Sequence, residues 1–571
     1  MKNKFLKILS VLLFIFVASC TDDFNEINER PDALAATDVS AKFFVTDTQQ
    51  KLFAPNRTPF WRGTILQSDR FSGHFAHGYA QSFISGENGW TFNFWFQEFV
   101  YNWLAEYNST LTAFTNFVKE GGSLENDQYY AISLIMKGLY YQLYVDTHGM
   151  VPYAEASDPD ITLPKYDELK DIYTGVISEL DQAISLIGNN TSTGSGVEKL
   201  GENDLFFGGD MQKWKQLANS LKLRMALRAQ GAPGESFSAA SVSQAISSGV
   251  LTDTDALINR DINISQWASA TYGDVWHNFY GIAHWHVGSV LLNTLQDNND
   301  PRLSKYAVPA KGGSVTIIKP TEGGNVALID KHVAFLKSTL DRAGAEYTMT
   351  ESSTEININM PENTNYIGLP TRLSDKPKAY MDTNLFSEPS EIVRNQKNSG
   401  NPIFPWVVMS AGESNLLVAE AIVKGLASGN ANQYYQKGIE HAMALWDVSS
   451  ADIAAYLSTE MGSLSGSTDQ QLEKIATQRW IANYTNGYEA WSIVRDTGYP
   501  SAVNVSVSDT DLYGLGGELN GAYPGRLQYG SSVYNNNADN TNAALTKMGP
   551  DNMATKLWLS LIHISEPTRP Y

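Results

Sequence analysis

Residues 131–144 read Ala131-Ile132-Ser133-Leu134-Ile135-Met136-Lys137-Gly138-Leu139-Tyr140-Tyr141-Gln142-Leu143-Tyr144. Ile132, Ile135, Met136, Leu139, Tyr140, Leu143 and Tyr144 recur at steps of three and four, which puts them on one face of an α-helix. The same period runs through Phe92, Trp95, Phe96, Phe99, Trp103 and Tyr107. It returns in Ile172, Val176, Ile177, Leu180, Ile184 and Ile187, and again in Trp214, Leu217, Leu221, Met225 and Leu227. The polar stretch 188–203 separates the last two helices as a loop. From about 250 to 405 the period breaks up. Gly, Pro, Asn and Asp punctuate short apolar runs such as Val315 to Ile318, which predict short strands. Helical order resumes at 411–427, 431–447, 469–485 and 487–495, and the Gly-, Asn- and Tyr-rich stretch 500–550 reads as loop.

Helix pairs, an irregular excursion and more helix pairs predict a mainly α fold. Its architecture is a tetratricopeptide-like, right-handed helical scaffold without the strict 34-residue consensus, carrying a large loop-rich insertion with short strands. The expected organisation is a leader over 1–19 and a tether over 20–40. An N-terminal helical scaffold follows over 41–249, then the insertion over 250–405, then C-terminal helices and loops over 406–558. Residues 559–571 stand apart, because Leu559 to Arg569 reads LSLIHISEPTR. That run resembles the translated read-through of a transposase adapter used in sequencing libraries, so no function is expected of His563.

The chain has 571 residues, 43% of them hydrophobic and 18% charged, which is ample material for a core. Lys and Arg number 41 against 61 Asp and Glu, a formal net charge of -20. Such a surface repels phosphate backbones, so no nucleic-acid partner is expected. A single cysteine excludes a disulfide framework and a thiolate zinc cluster. That cysteine, Cys20, follows Val17-Ala18-Ser19 at the end of the apolar run Ile8 to Ala18, itself preceded by Lys2, Lys4 and Lys7. The run is short for a membrane span and suits a secretory leader. Small residues before a lone Cys resemble a bacterial lipobox, in which cleavage before Cys20 is followed by acylation, palmitate included.

Zincin helices, nucleophile elbows and phosphate loops are missing from the sequence. His284 and His286 share one face only if they lie on a strand. Asp297 to Asp300 lacks the spacing of a calcium loop. No cofactor and no metal are therefore expected. Two stretches mix aromatic rings with hydrogen-bonding residues. Segment 71–95 holds Phe75, His77 and Trp90; segment 267–286 holds Trp267, Trp276, His277, Tyr280 and Trp285. Sugars present an apolar C–H face and a hydroxyl rim, so a pocket for them needs that mixture. Phe75, His77, Trp90, Trp276, His277, Tyr280 and Trp285 are the candidate ligand-binding residues, with Trp61 and Trp267 next. Trp95 opens a helical stripe and is expected in the core.

Several segments, in order, resemble the SusD/RagB family of outer-membrane nutrient-binding lipoproteins. Asp146-Thr147-His148-Gly149-Met150-Val151-Pro152-Tyr153 looks like the family's D-x-x-G-x-V-P-Y turn. Trp214, with Leu217 to Arg224, resembles its W-x-x-x-A-N-S-L-K-L-R helix. Asp300-Pro301-Arg302, the helix ending Ala419-Glu420-Ala421, and Gln478-Arg479-Trp480 match further motifs. So do Glu489-Ala490-Trp491, Arg495-Asp496-Thr497-Gly498-Tyr499-Pro500, and Pro524 with Arg526. The resemblance implies a non-enzymatic, lipid-anchored protein facing the cell exterior. Such a protein binds glycan nutrients and delivers them to a SusC-like, TonB-dependent transporter. An all-α glycoside hydrolase, a structural lid for the transporter and a peptide-binding subunit are the alternatives. The polar motif residues themselves read as structural: Asn219, Ser220 and Arg224 as partners of buried groups, and Glu420 as a partner of Arg479 or Arg495.

Overall fold

The computed structural model describes residues 40–77, 94–278, 285–322, 326–515 and 518–563. The leader and tether, Cys20 included, lie outside the described residues.

Six long helices build the first half: α1 (Lys42–Phe53), α2 (Phe94–Val118), α3 (Asp127–His148), α4 (Leu169–Ile187), α5 (Met211–Ala229) and α6 (Ser238–Ser248). Each sits where sequence and caps agree. The Asn126 side chain accepts from the amides of Gln128 and Tyr129 to open α3, and Asp210 does the same for α5. Gly149, at φ 90°, ends α3 in a conformation that a β-carbon would resist. α3 packs on α4, α4 on α5 and α5 on α6, so neighbours in sequence are neighbours in space. The apolar face quoted above is buried among them, with Ile132, Ile135 and Met136 at 0% exposure.

The second half follows the same rule through α10 (Ala411–Val423), α11 (Ala431–Ala444), α12 (Ser450–Leu457), α13 (Thr468–Ala482) and α14 (Gly487–Thr497). α10 packs on α11 and α13, and also crosses back onto α5, joining the two halves.

Between them lie α7 (Tyr272–Asn278), α8 (Ser289–Asp297), α9 (Ile329–Arg342) and most of the strands. β4 (Gly313–Ile318), β5 (Thr348–Glu351) and β6 (Glu355–Met360) form an antiparallel sheet in the order β4-β6-β5. Val315 and Ile317 point inward with Ile356 and Ile358, onto Val333, Leu336 and Leu340 of α9, as a second core. Ser314, Thr316 and Ile318 alternate outward. β2 (Ala256–Ile258) pairs with β7 (Trp406–Met409), which closes the excursion at its two ends. The broken period predicts no helix over 329–342, yet α9 is a 14-residue amphipathic helix. The stretch 500–550, expected as loop, likewise holds α15 (Ser531–Asn536) and α16 (Ala538–Met548). Both are rich in Asn, a poor helix former, and they are held by a few buried side chains such as Val533, Thr541 and Ala544. At the C-terminal end Leu559 is buried, and the Ser560 hydroxyl donates to Asp496 at 3.0 Å.

Several of the family-like motifs converge on one buried ionic hub. Arg224 grips Glu413 with two bonds, Nε at 3.0 Å and Nη2 at 2.7 Å. Arg228 bridges Asp146 and Glu489. Arg479 reaches Glu420 at 2.9 Å and Glu489 at 3.4 Å, while Arg495 forks onto Asp496 at 2.7 and 2.9 Å. Lys424 lies 2.7 Å from Glu420. These are five cations and five carboxylates, so the hub is neutral. It ties α3, α5, α10, α13 and α14 together. Burial alone would raise Glu489, but Arg224, Arg228 and Arg479 outweigh it and hold the carboxyl at about 2. Ser220 and Asn219 satisfy the turn after α6: Ser220 accepts from the Leu251 amide at 2.8 Å, and Asn219 donates to Ser248 at 3.0 Å.

Candidate functional site

β1 (Phe75–His77) pairs antiparallel with β3 (Trp285–Val287), so Phe75 faces Val287 and His77 faces Trp285. This short ribbon draws together the two aromatic segments that the sequence singles out, although 208 residues separate His77 from Trp285. Its Phe75 and Trp285 rings turn into the core. Phe75 is fully buried against Tyr272 and Tyr484, at centroid distances of 5.7 and 5.2 Å. Trp285 and Trp276 pack edge to face at 4.9 Å and are 2% and 4% exposed. The sequence reading expected these three rings to face a ligand; polar neighbours along the chain gave no information about neighbours in space. His277 is exposed, with Nε2 3.1 Å from the Arg394 carbonyl. Trp90, Tyr280 and His284 lie outside the described residues, as does the side chain of His77. Trp61 is buried as well.

Trp267 differs from the other described aromatic rings in this segment. It is 60% exposed, and the Arg57 guanidinium lies 3.3 Å from its ring centroid. Two backbone bonds fix the pair: the Arg57 amide donates to the Trp267 carbonyl at 3.4 Å, and Ala270 donates to Pro55 at 3.2 Å. Beside them, α1, α2 and the 264–269 loop enclose a cleft of about 620 Å³. That volume falls within the range of small-ligand sites, roughly 300–1,000 Å³. Its wall carries Trp103, whose indole nitrogen donates to the Lys51 carbonyl at 2.9 Å. Lys51 pairs with Asp47 at 2.9 Å and donates to Thr110 at 3.2 Å. Gln50, Asn56, Glu106 and Ser109 complete a lining of acceptors and donors. The cleft thus combines aromatic surface with amide, carboxylate and hydroxyl groups. Sequence reasoning read Trp103 as part of a helical core stripe and did not anticipate the cleft, because Asp47, Glu106 and Ser269 meet only after folding.

Chemically the cleft is suited to holding a polyhydroxyl ligand. Among the described residues no cluster of three or more His, Cys, Asp or Glu side chains could hold a metal ion. No helix among them is long and apolar enough to cross a membrane.

Comparison with known proteins matches this architecture. The fold is similar to that of a chitin-binding protein, with TM-score 0.69 and 23% identity over 91% of this chain and 100% of that one. It is similar to a chitin-binding SusD homologue from Flavobacterium johnsoniae, with TM-score 0.67 and 19% identity over 91% and 98% of the two chains. A SusD homologue from Bacteroides thetaiotaomicron VPI-5482 gives TM-score 0.64 and 19% identity over 91% and 99%. No curated protein sequence matches the chain. The family model described as starch-binding, associating with outer membrane, spans residues 33–529, and the chain belongs to this SusD-like family.

Proposed function

We propose that the protein is a non-enzymatic surface lipoprotein that captures glycans and passes them to a TonB-dependent outer-membrane transporter. Cys20 carries the lipid anchor, and the exposed Trp267 with the cleft between α1, α2 and the 264–269 loop carries the ligand. The observation that supports this reading most directly is Trp267, an exposed indole fixed by Arg57, next in the chain to Ala268 in the wall of a cleft lined with hydroxyl, amide and carboxylate groups. Family membership and the chitin-binding proteins of similar fold support it further. The Arg57 cation on one face of the ring stiffens it as a platform for the C–H face of a sugar. Hydroxyls of the same sugar meet Asp47, Gln50, Asn56 and Glu106.

Calorimetric titration with a panel of oligosaccharides, chito-oligosaccharides among them, is the test. Saturable binding without bond cleavage is expected. Trp267→Ala should weaken it about tenfold to a hundredfold, the equivalent of about 1–3 kcal/mol for a large ring, and leave Tm unchanged because the ring is exposed. Release of shortened products would overturn the binding-only reading, and unaltered affinity in the variant would move the site away from Trp267.

A further inference from the structure

Trp267 stands on a stretch that apolar burial does little to hold. From 261 to 268 every residue is exposed except Ile264 and Gln266, which are half-buried. Such a segment keeps one shape only where hydrogen bonds fix it. The turn itself is closed by the amides of Ala268 and Ser269, which both donate to the Ser265 carbonyl at 3.0 Å. It sits on Lys397, a residue only 5% exposed, in the segment that leads from the short helix Glu391–Arg394 to β7. The Lys397 ammonium donates to the Ile264 carbonyl at 2.7 Å and also to the Ser269 carbonyl. These two carbonyls bracket Trp267 along the chain, and Ile264 and Ser269 both line the cleft beside it.

The lysine is itself held in place. Its amide donates to Asp274 Oδ1 at 3.3 Å. Asp274 Oδ2 accepts from the Thr271 amide at 3.0 Å and lies 4.0 Å from the Lys397 ammonium. Asp274 belongs to the first turn of α7, where its amide donates back to the Thr271 hydroxyl at 3.0 Å. α7 and the 394–397 segment are pressed together: a β-carbon at Gly273 would collide with the Asn395 carbonyl, and His277 Nε2 lies 3.1 Å from the Arg394 carbonyl. The ammonium therefore reaches the loop from a fixed base. Burying an ammonium is costly without full compensation. The two carbonyls that compensate this one belong to the loop that displays Trp267.

We propose that Lys397 is the positioning residue of the ligand platform: its ammonium fixes both ends of the 264–269 loop and so presents Trp267 to the ligand already shaped. A platform ordered before binding loses less freedom when the ligand arrives, so the clamp raises affinity without touching the sugar. Arg57 stiffens the ring from its face, and Lys397 stiffens the backbone that carries it. This role deepens the glycan reading above and rests on it for the ligand, whereas the state of the loop can be read with no ligand present.

Fluorescence tests the loop. The emission of Trp267 is isolated as the difference between the full chain and Trp267→Phe, each with and without Lys397→Met. With Lys397 present, the time-resolved anisotropy of that emission should decay with the tumbling of the whole molecule. In Lys397→Met it should gain a fast component on the timescale of loop motion. Calorimetric titration with chitotetraose, and with the panel oligosaccharide that the parent binds tightest, tests the consequence. Lys397→Met should weaken binding about tenfold. In the Trp267→Ala background the same replacement should cost much less, because the group it positions is gone. Lys397→Gln keeps a donor for one of the two carbonyls and should fall between parent and Lys397→Met in both measurements; it carries the test if Lys397→Met does not fold. Each variant is measured well below its own Tm, which keeps global unfolding out of both readouts. An unchanged anisotropy decay, unaltered affinity, or an equal loss of affinity with and without the Trp267 ring overturns the positioning role. Absence of saturable binding by the parent overturns the glycan reading instead, and the anisotropy then decides whether Lys397 holds the loop.

Discussion

Glu489 sits where three arginines meet, and its carboxyl is held at about 2 although it is fully buried. The group is therefore depressed below the 4.5 it has when unfolded. Its contribution to stability is complete above pH 4.5 and disappears as pH falls through about 2. Glu489→Gln should lower stability at neutral pH by about 3–5 kcal/mol, because it leaves Arg228 and Arg224 short of a charge. It should also flatten the acid limb of the stability curve between about pH 4.5 and 2. Urea unfolding across that range, with parent and variant compared, checks both effects. Asp146 shows the opposite balance: burial outweighs Arg228 and Arg495, and its carboxyl is raised. Part of the hub was legible at the residue scale. The sequence pointed to Glu420 beside Arg479 or Arg495, and the structure selects Arg479 while Arg495 takes its own neighbour Asp496. A polar residue on an apolar helix announces a buried partner, but not which one.

The helices themselves were legible from their period, and the crossings between them were not. α10 and α11 approach so closely at Gly412 and Gly438 that side chains are excluded. A β-carbon added at Gly438 would lie 2.6 Å from Leu416 Cγ and 2.9 Å from the Gly412 carbonyl oxygen. Gly438→Ala gains about 1 kcal/mol of helix propensity, yet the forced separation of α10 and α11 costs about 1–3 kcal/mol. A net loss is expected, read as a lower denaturation midpoint with unchanged m-value. The aromatic segments teach the same lesson from the other side. Phe75, Trp276 and Trp285 stand in polar, loop-like sequence, yet the β1–β3 ribbon turns Phe75 onto Tyr272 and Tyr484, and Trp285 onto Tyr272 and onto Trp276 of α7. Ring burial depends on pairing across about two hundred residues, and no local window contains that information.

At the scale of the whole molecule, two helical blocks close on each other through α5 and α10, with the β4-β6-β5 sheet and α9 forming a second core beside them. The order of helical and irregular stretches was visible in the sequence. The helices hidden in Asn-rich and Gly-rich segments were not, since composition there argues against helix and only packing overrides it. The proposed lipid anchor belongs to this scale too. Cys20→Ser should shift the protein from the membrane fraction to the soluble one in cells lacking the transporter; retention of the variant in the membrane fraction would rule out the lipid anchor.

The ionic hub also imposes an order of events on the newborn chain. Arg224 meets Glu413 across 189 residues, and Arg228 meets Glu489 across 261. A ribosome delivers both arginines long before either glutamate exists. Until then Arg228 has Asp146 but Arg224 has no carboxylate partner, so the N-terminal helices hold one unmatched cation where a closed interior should form, and a stable half-molecule is disfavoured. Completion of the C-terminal helices thus acts as the latch on folding.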